Sequence, residues 1–292
     1  MNLFIKTVIL LVALIHPLSL PNSCEAEPTA VFVSILPLKF FVERIGGREV
    51  AVEVMVKPGE SPATFNPNPK KMSRLANSTL YFSIGVPFER IWISRIQAIQ
   101  PDLKIIPLNK NIPEPETTKN EHNENHGHSH EEGNPHIWTS PPLVKILAAE
   151  IESALSREKP EKADYFKANY QALALDLDKL DQEIRDIFAK GKNRTFMVFH
   201  PAWTHFAETY GLEQIAIEHQ GKEPGARALQ ALIEKGKKLN IKVIFAQKQF
   251  SLSIAKKIAK MIGATVREMD PLAENYLENM RQTAIAISGA NN

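Results

Sequence analysis

The chain has 292 residues, of which 43% are apolar and 23% charged. That is enough for one large or two medium domains around a real core. The net charge of +2 excludes the basic surplus that would point to nucleic acid and the acidic surplus that would point to a cationic partner.

Residues 1–26 stand apart from the rest. Lys6 precedes the apolar run 8–15, and Pro17 and polar residues follow it. The run is too short to span a bilayer and fits the apolar region of a secretory signal peptide. Cleavage is expected after Ala26, with Cys24 and Ala26 as the small residues before the cut, giving a periplasmic protein. Lipid attachment at Cys24 is the alternative, and an ordinary buried helix is the third reading. Loss of this segment removes Lys6 and Glu25, leaving the net charge at +2, and also removes the chain's one cysteine. Residues 27–292 then offer no disulfide, no thiol nucleophile and no thiolate ligand, so any metal must be held by histidine and carboxylate. No other apolar run is long enough to cross a membrane.

After the leader, apolar β-branched runs alternate with helical periodicity. Strands are expected at 31–36, 49–56, 79–85 and 103–108, with helices at 37–47, 69–78 and 87–99 between them. The loop "KPGESPATFNPNP" follows the second strand. Residues 109–135 lose all periodicity and contain His122, His126, His128 and His130 in a polar, low-complexity tract. A helix resumes at 141.

Residues 160–191 place Phe166, Tyr170, Leu173, Leu177, Leu180, Ile184 and Ile187 at steps of 4 and 3. This is the mark of one long amphipathic helix; a coiled-coil dimer seam is its rival reading. The second half then repeats the alternation. Strands are expected at 194–199, 212–217, 242–246 and 264–269, each followed by a helix. The expected fold is α/β: two (β/α) lobes with parallel sheets, 27–159 and 192–292, joined by the helix 160–191. A stiff helical connection implies small lobe movements.

In open parallel sheets, ligands bind beyond the carboxyl ends of the strands. That rule selects His200 after "TFMVF" and Asp270 after "ATVREM"; His136 lies at another strand-to-helix passage. Two imidazoles and a carboxylate suit Zn²⁺. Each residue also has a plainer reading, as a hydrogen-bonded rim residue or a turn starter.

The motifs "NPHIW", "FHPAWTHFAETYGL" and "MDPLAENY" resemble the later ligand signatures of the solute-binding proteins of zinc/manganese ABC importers (ZnuA-like). The resemblance also takes in "PLKFFVERIGG", "KPGESP", "GVPFE" and "GKEP", and so covers nearly the whole chain after the leader. It implies metal in a cleft between two lobes, with His136, His200 and Asp270 as ligands and an ABC permease as partner. It also implies capture of zinc outside the cytoplasmic membrane by a non-enzyme that acts as a monomer. An imidazole at 200, where some relatives have a carboxylate, favours zinc over manganese.

One departure stands out. The family pattern G-x-S-P-H-x-Y-E-P carries a further histidine ligand, and this chain has Ala63 in its place. The fourth position is then open to water, to Glu218 or His219 in the loop 218–225, or to a histidine of 122–130. The loop histidines are otherwise accessory in zinc-uptake members of the family. Two other functions are compatible with three ligands. One is a zinc hydrolase with Glu218 or Glu223 as base, although the chain has no HExxH. The other is a metal buffer that works without a permease.

Overall fold

The computed structural model describes residues 27–110, 112, 134–191, 193–219, 221–250 and 252–290. The leader with Cys24, and His122, His126, His128 and His130, lie outside the described residues.

The first half contains β1 (Thr29–Val33), α1 (Leu36–Gly46), β2 (Val50–Val54), α2 (Pro69–Leu75), β3 (Leu80–Ser83), α3 (Pro87–Ile99) and β4 (Lys104–Pro107). Every expected strand of this half is present: β1 lies two residues earlier at its start and three at its end than expected, and the other three are shorter by one or two residues at each end. α2 begins where Pro69 sets the helical φ and Asn68 Oδ1 accepts the Lys71 N–H at 2.9 Å. After a short 3-10 turn, Ile137–Thr139, come α4 (Pro141–Glu158) and α5 (Ala163–Lys190). The second half holds β5 (Thr195–Val198), α6 (Thr204–Tyr210), β6 (Glu213–Ala216), α7 (Ala226–Lys238), β7 (Val243–Ala246), α8 (Ser253–Ile262), β8 (Thr265–Glu268) and α9 (Tyr276–Ser288). α6 and α8 end on Gly211 and Gly263, at φ +64 and +74, a left-handed cap that disfavours a Cβ.

The two sheets have one topology used twice. The order is β2-β1-β3-β4 in the first and β6-β5-β7-β8 in the second, and every pairing is parallel. The strand order reverses between β1 and β3, and again between β5 and β7. Parallel sheets bind ligands at such reversal points, beyond the carboxyl ends of the strands.

The long helix starts three residues later than expected. Pro160–Lys162 form a 3-10 turn, and α5 then runs for 28 residues, about 42 Å at 1.5 Å per residue. Its apolar stripe is consumed inside the molecule. Phe166, Leu173, Leu177, Leu180, Ile184 and Phe188 are buried where α5 packs against α1, α4 and α9. That argues against the coiled-coil alternative: of the seam residues only Tyr170 and Ile187 keep part of their surface, and the rest is spent inside the molecule.

One apolar core runs through both halves. It includes Val31, Phe41 and Phe82 from the first and Val198, Phe245, Tyr276 and Met280 from the second. At the junction the Phe41 and Tyr276 rings meet edge-on at 4.7 Å, and Lys39 bonds Glu274 at 2.6 Å. Shared burial of this kind resists hinge motion, because opening the halves would expose apolar surface to water. A smaller cluster, with Met197, Ile233, Ile244 and Ile258, packs α7 and α8 onto the other face of the second sheet. None of the described helices is long and apolar enough to cross a membrane.

Leu177 is 0% exposed at the middle of α5. Leu177→Ala leaves a cavity that costs about 2–5 kcal/mol, read as a lower urea midpoint with an unchanged m-value.

Candidate metal centre

Three side chains with chemical potential sit two residues beyond the last residue of their strands. They are His200 after β5, Glu218 after β6 and Asp270 after β8. The parallel register brings these carboxyl ends to one edge of the second sheet. His136 approaches from the other half, at the start of the turn Ile137–Thr139. The local chain holds it there: the Thr139 hydroxyl donates to the His136 carbonyl at 2.8 Å. Trp138, 1% exposed, donates its ring N–H to the Pro271 carbonyl at 2.8 Å. That bond ties the His136 turn to the residue after Asp270.

The two histidines meet. His136 Nε2 and His200 Nε2 lie 3.3 Å apart, and the ring centroids are 5.1 Å apart with planes at 71°. Two nitrogens bound to one tetrahedral zinc at about 2.0–2.1 Å are about 3.3–3.4 Å apart. The pair therefore already has the spacing of two zinc ligands. Phe250 stacks on the far face of the His200 ring at 4.9 Å and 24°, limiting its rotation.

Asp270 is on the same rim but not in the pair. Its Oδ1 accepts the Leu272 N–H at 2.9 Å and the Gln249 side-chain N–H at 3.3 Å. It lines a cavity of about 550 Å³ between the halves, together with Lys57, Gly59, Glu274 and Thr283. Among the described residues, no three His, Cys, Asp or Glu side chains are gathered closely enough to form a metal cluster.

The alternatives for a fourth ligand separate clearly. Ala63 is exposed in the loop between β2 and α2, and its methyl offers no lone pair. His219 is exposed, and its backbone bridges to Lys222. Glu218 is 4% exposed, and its carboxylate lies 3.1 and 3.2 Å from His200 Nδ1. It also accepts the Gly221 N–H at 2.7 Å. Nδ1 is on the opposite edge of the ring from the nitrogen that faces His136. Glu218 thus backs His200 and does not share its ligand position.

His205 is 4% exposed and lies 2.9 Å from the backbone carbonyl of Asn134. Asn134 in turn touches His136 Nδ1 with its side-chain oxygen at 2.6 Å. Neither contact was legible in the sequence beyond the closeness of Asn134 to His136, because His205 and Asn134 are 71 residues apart. Gln247, at the end of β7, reaches the His200 carbonyl at 3.5 Å, and its Oε1 is buried with no hydrogen-bond partner among the described residues.

Burial holds the His136 imidazole well below its ordinary pKa of 6.5, and the neighbouring His200 and His205 lower it further. Burial also lowers His205. Both rings are thus kept neutral, and for His136 that is the form that binds metal.

Residues 31–290 match the family described as ZnuA, zinc-uptake complex component A, periplasmic. The chain belongs to this family. It aligns with a crystal structure of ZnuA at a TM-score of 0.84 and 36% identity, covering 91% of this chain and 100% of that one. It aligns equally with a zinc-bound deletion mutant of ZnuA, at 0.83 and 35%, covering 91% and 98%. The zinc-binding protein AdcA of Streptococcus pyogenes is 27% identical over 259 residues, 83% of this chain and 50% of that protein. A putative metal-binding protein of Chlamydia muridarum is also 27% identical, over 88% of this chain and 90% of its own length. The chain spans about half the length of the streptococcal relatives it matches. The ZnuA fold and the two-sheet topology described above agree.

The lowered pKa has a sign. The unfolded chain takes up the His136 proton first, so stability from this group is present above pH 6.5. It is lost as the pH falls from there through the lower folded value. In the metal-free protein, the His136 ring resonances are expected to stay fixed between about pH 7.5 and 6, a window in which an unshifted imidazole titrates. A His136 titration midpoint at or above 6.5 contradicts that burial.

Proposed function

We propose that this chain captures Zn²⁺ outside the cytoplasmic membrane and delivers it to the permease of an ABC importer. The observation that carries the proposal is the pair of imidazole nitrogens 3.3 Å apart, one from each half of the ZnuA fold. His136 and His200 are the first two ligands. Asp270 is the third, its Oδ1 exchanging the Leu272 and Gln249 N–H groups for the ion. Two nitrogens and one oxygen suit zinc better than manganese, which prefers an all-oxygen shell. The zinc-binding description of AdcA and the zinc-bound ZnuA relative point the same way.

On this reading the ion is cargo and the protein is not an enzyme. A hydrolase needs a base beside the zinc-bound water. Glu218, the best placed carboxylate, is already bonded to His200 Nδ1 and the Gly221 N–H. The segment 1–26 serves as a signal peptide that places the protein in the periplasm, and the buried α5 stripe favours a monomer. The histidines at 122–130 are an accessory tract beside the preformed pair.

A four-ligand zinc site is worth about 10–16 kcal/mol, roughly 2.5–4 per ligand. His136→Ala and His200→Ala are therefore expected to weaken zinc by on the order of a hundred-fold or more, measured by chelator competition on metal-free protein. Asp270→Ala is expected to weaken it as well. Tighter binding of manganese than zinc, or full affinity in both histidine variants, overturns the assignment.

Deletion of residues 119–131 is expected to leave one tight zinc site in isothermal titration. Loss of that site would move the loop histidines from accessory to ligand.

A further inference from the structure

We infer that Asn134 and Glu218 are positioning residues that set the tautomers of the two facing imidazoles, and that His205 holds Asn134 in place. This rests on the zinc-binding reading of the pair.

A neutral imidazole carries one proton, on one of two nitrogens. For His200, the neighbour of Nδ1 is the Glu218 carboxylate, at 3.1 and 3.2 Å from its two oxygens. An ionised carboxylate only accepts, so Nδ1 carries the proton and Nε2 keeps its lone pair. For His136, the neighbour of Nδ1 is the Asn134 side chain at 2.6 Å. The same Asn134 atom lies 3.0 Å from the His136 backbone N–H. A backbone N–H can only donate, so that atom is the amide oxygen and not its nitrogen. His136 Nδ1 then donates as well, and its Nε2 also keeps a lone pair.

Two lone pairs thus face each other across 3.3 Å. They repel, and no N–H lies between them to join them. A cation placed between them removes the repulsion and gains two nitrogen ligands. The outer hydrogen bonds convert a contact that is unfavourable without an ion into a preset two-nitrogen clip.

The Asn134 arm depends on the other half of the molecule. His205, on α6, donates its Nε2–H to the Asn134 carbonyl at 2.9 Å, since a carbonyl only accepts. A second-half helix therefore holds the loop that orients the first-half ligand. The two arms differ in charge. A carboxylate stands behind His200 and a neutral amide behind His136, and each fixes the orientation of its ring.

The test is the ring-nitrogen spectrum of the ¹⁵N-labelled, metal-free protein at a pH where both rings are neutral. Both His136 and His200 are expected as Nδ1–H tautomers with an unprotonated Nε2. Asn134→Ala and Glu218→Ala are each expected to lose the fixed tautomer of the ring they back and to weaken zinc by about 10–100-fold. Asn134→Asp and Glu218→Gln keep an accepting oxygen, and are expected to retain the tautomer and to bind zinc within a few-fold of the parent. An Nε2–H tautomer on either ring of the parent protein overturns the proposal. So do alanine variants that keep both tautomer and affinity. Where an alanine variant fails to fold, the parent spectrum and the two conservative variants decide. Fixed Nδ1–H tautomers in a protein that binds no zinc support the positioning role and sink the transport reading instead.

Discussion

Two imidazole nitrogens, one from each half of the chain, face each other at 3.3 Å. An approach this close between two neutral acceptors lasts only where the parts that carry them cannot drift. The shared core supplies that rigidity. Phe41 and Tyr276 join the halves within it, and Trp138 fastens the His136 turn to Pro271. α5 lies along both halves and buries its apolar stripe against each. The site geometry is therefore a consequence of interior packing. Strand register places His200 in the second half, the turn Ile137–Thr139 places His136 in the first, and the common core fixes the distance between them.

The electrostatics follow from the same burial. His136 is kept neutral because charging it where water is largely displaced, beside two other imidazoles, is unfavourable. Glu218 brings its negative charge to the outer edge of His200 and leaves the inner edge open. Asp270 waits along the interlobe cavity, occupied by its own turn. Ala63 leaves the first-half loop without a donor at that position. The nitrogen ligands proposed for zinc are then His136 and His200 alone, which gives their orientation by Asn134 and Glu218 more weight than in a relative with three imidazoles.

Much of this was legible in the chain. The alternation of β-branched runs and helical periods marks every described strand. The stripe at 166–187 marks the long helix, because 3.6-residue periodicity shows in any window of a few turns. His200 and Asp270 were found by one rule, that polar residues just past buried parallel strands face the ligand edge. The start of α5 was misplaced because Pro160 opens a 3-10 turn before the helix proper, and a proline signal does not distinguish the two. The rule puts Glu218 at the ligand edge but does not say whether its carboxylate meets the ion or backs a ligand. The role of His205 is not visible in any short window, since its partner Asn134 is far away in sequence.

By itself, the sequence determined the α/β class, the doubled parallel arrangement, the histidine–carboxylate character of any metal site and the resemblance to the ZnuA family. These rest on periodicity, residue chemistry and local motifs, all of which are properties of short windows. Only the tertiary structure decided which side chains meet. It paired His136 with His200, left Asp270 in its own turn, and turned Glu218 and Asn134 to the outer edges of the rings. Those outcomes depend on the register of strands far apart in the chain and on the packing between the halves, and no short window of sequence records either.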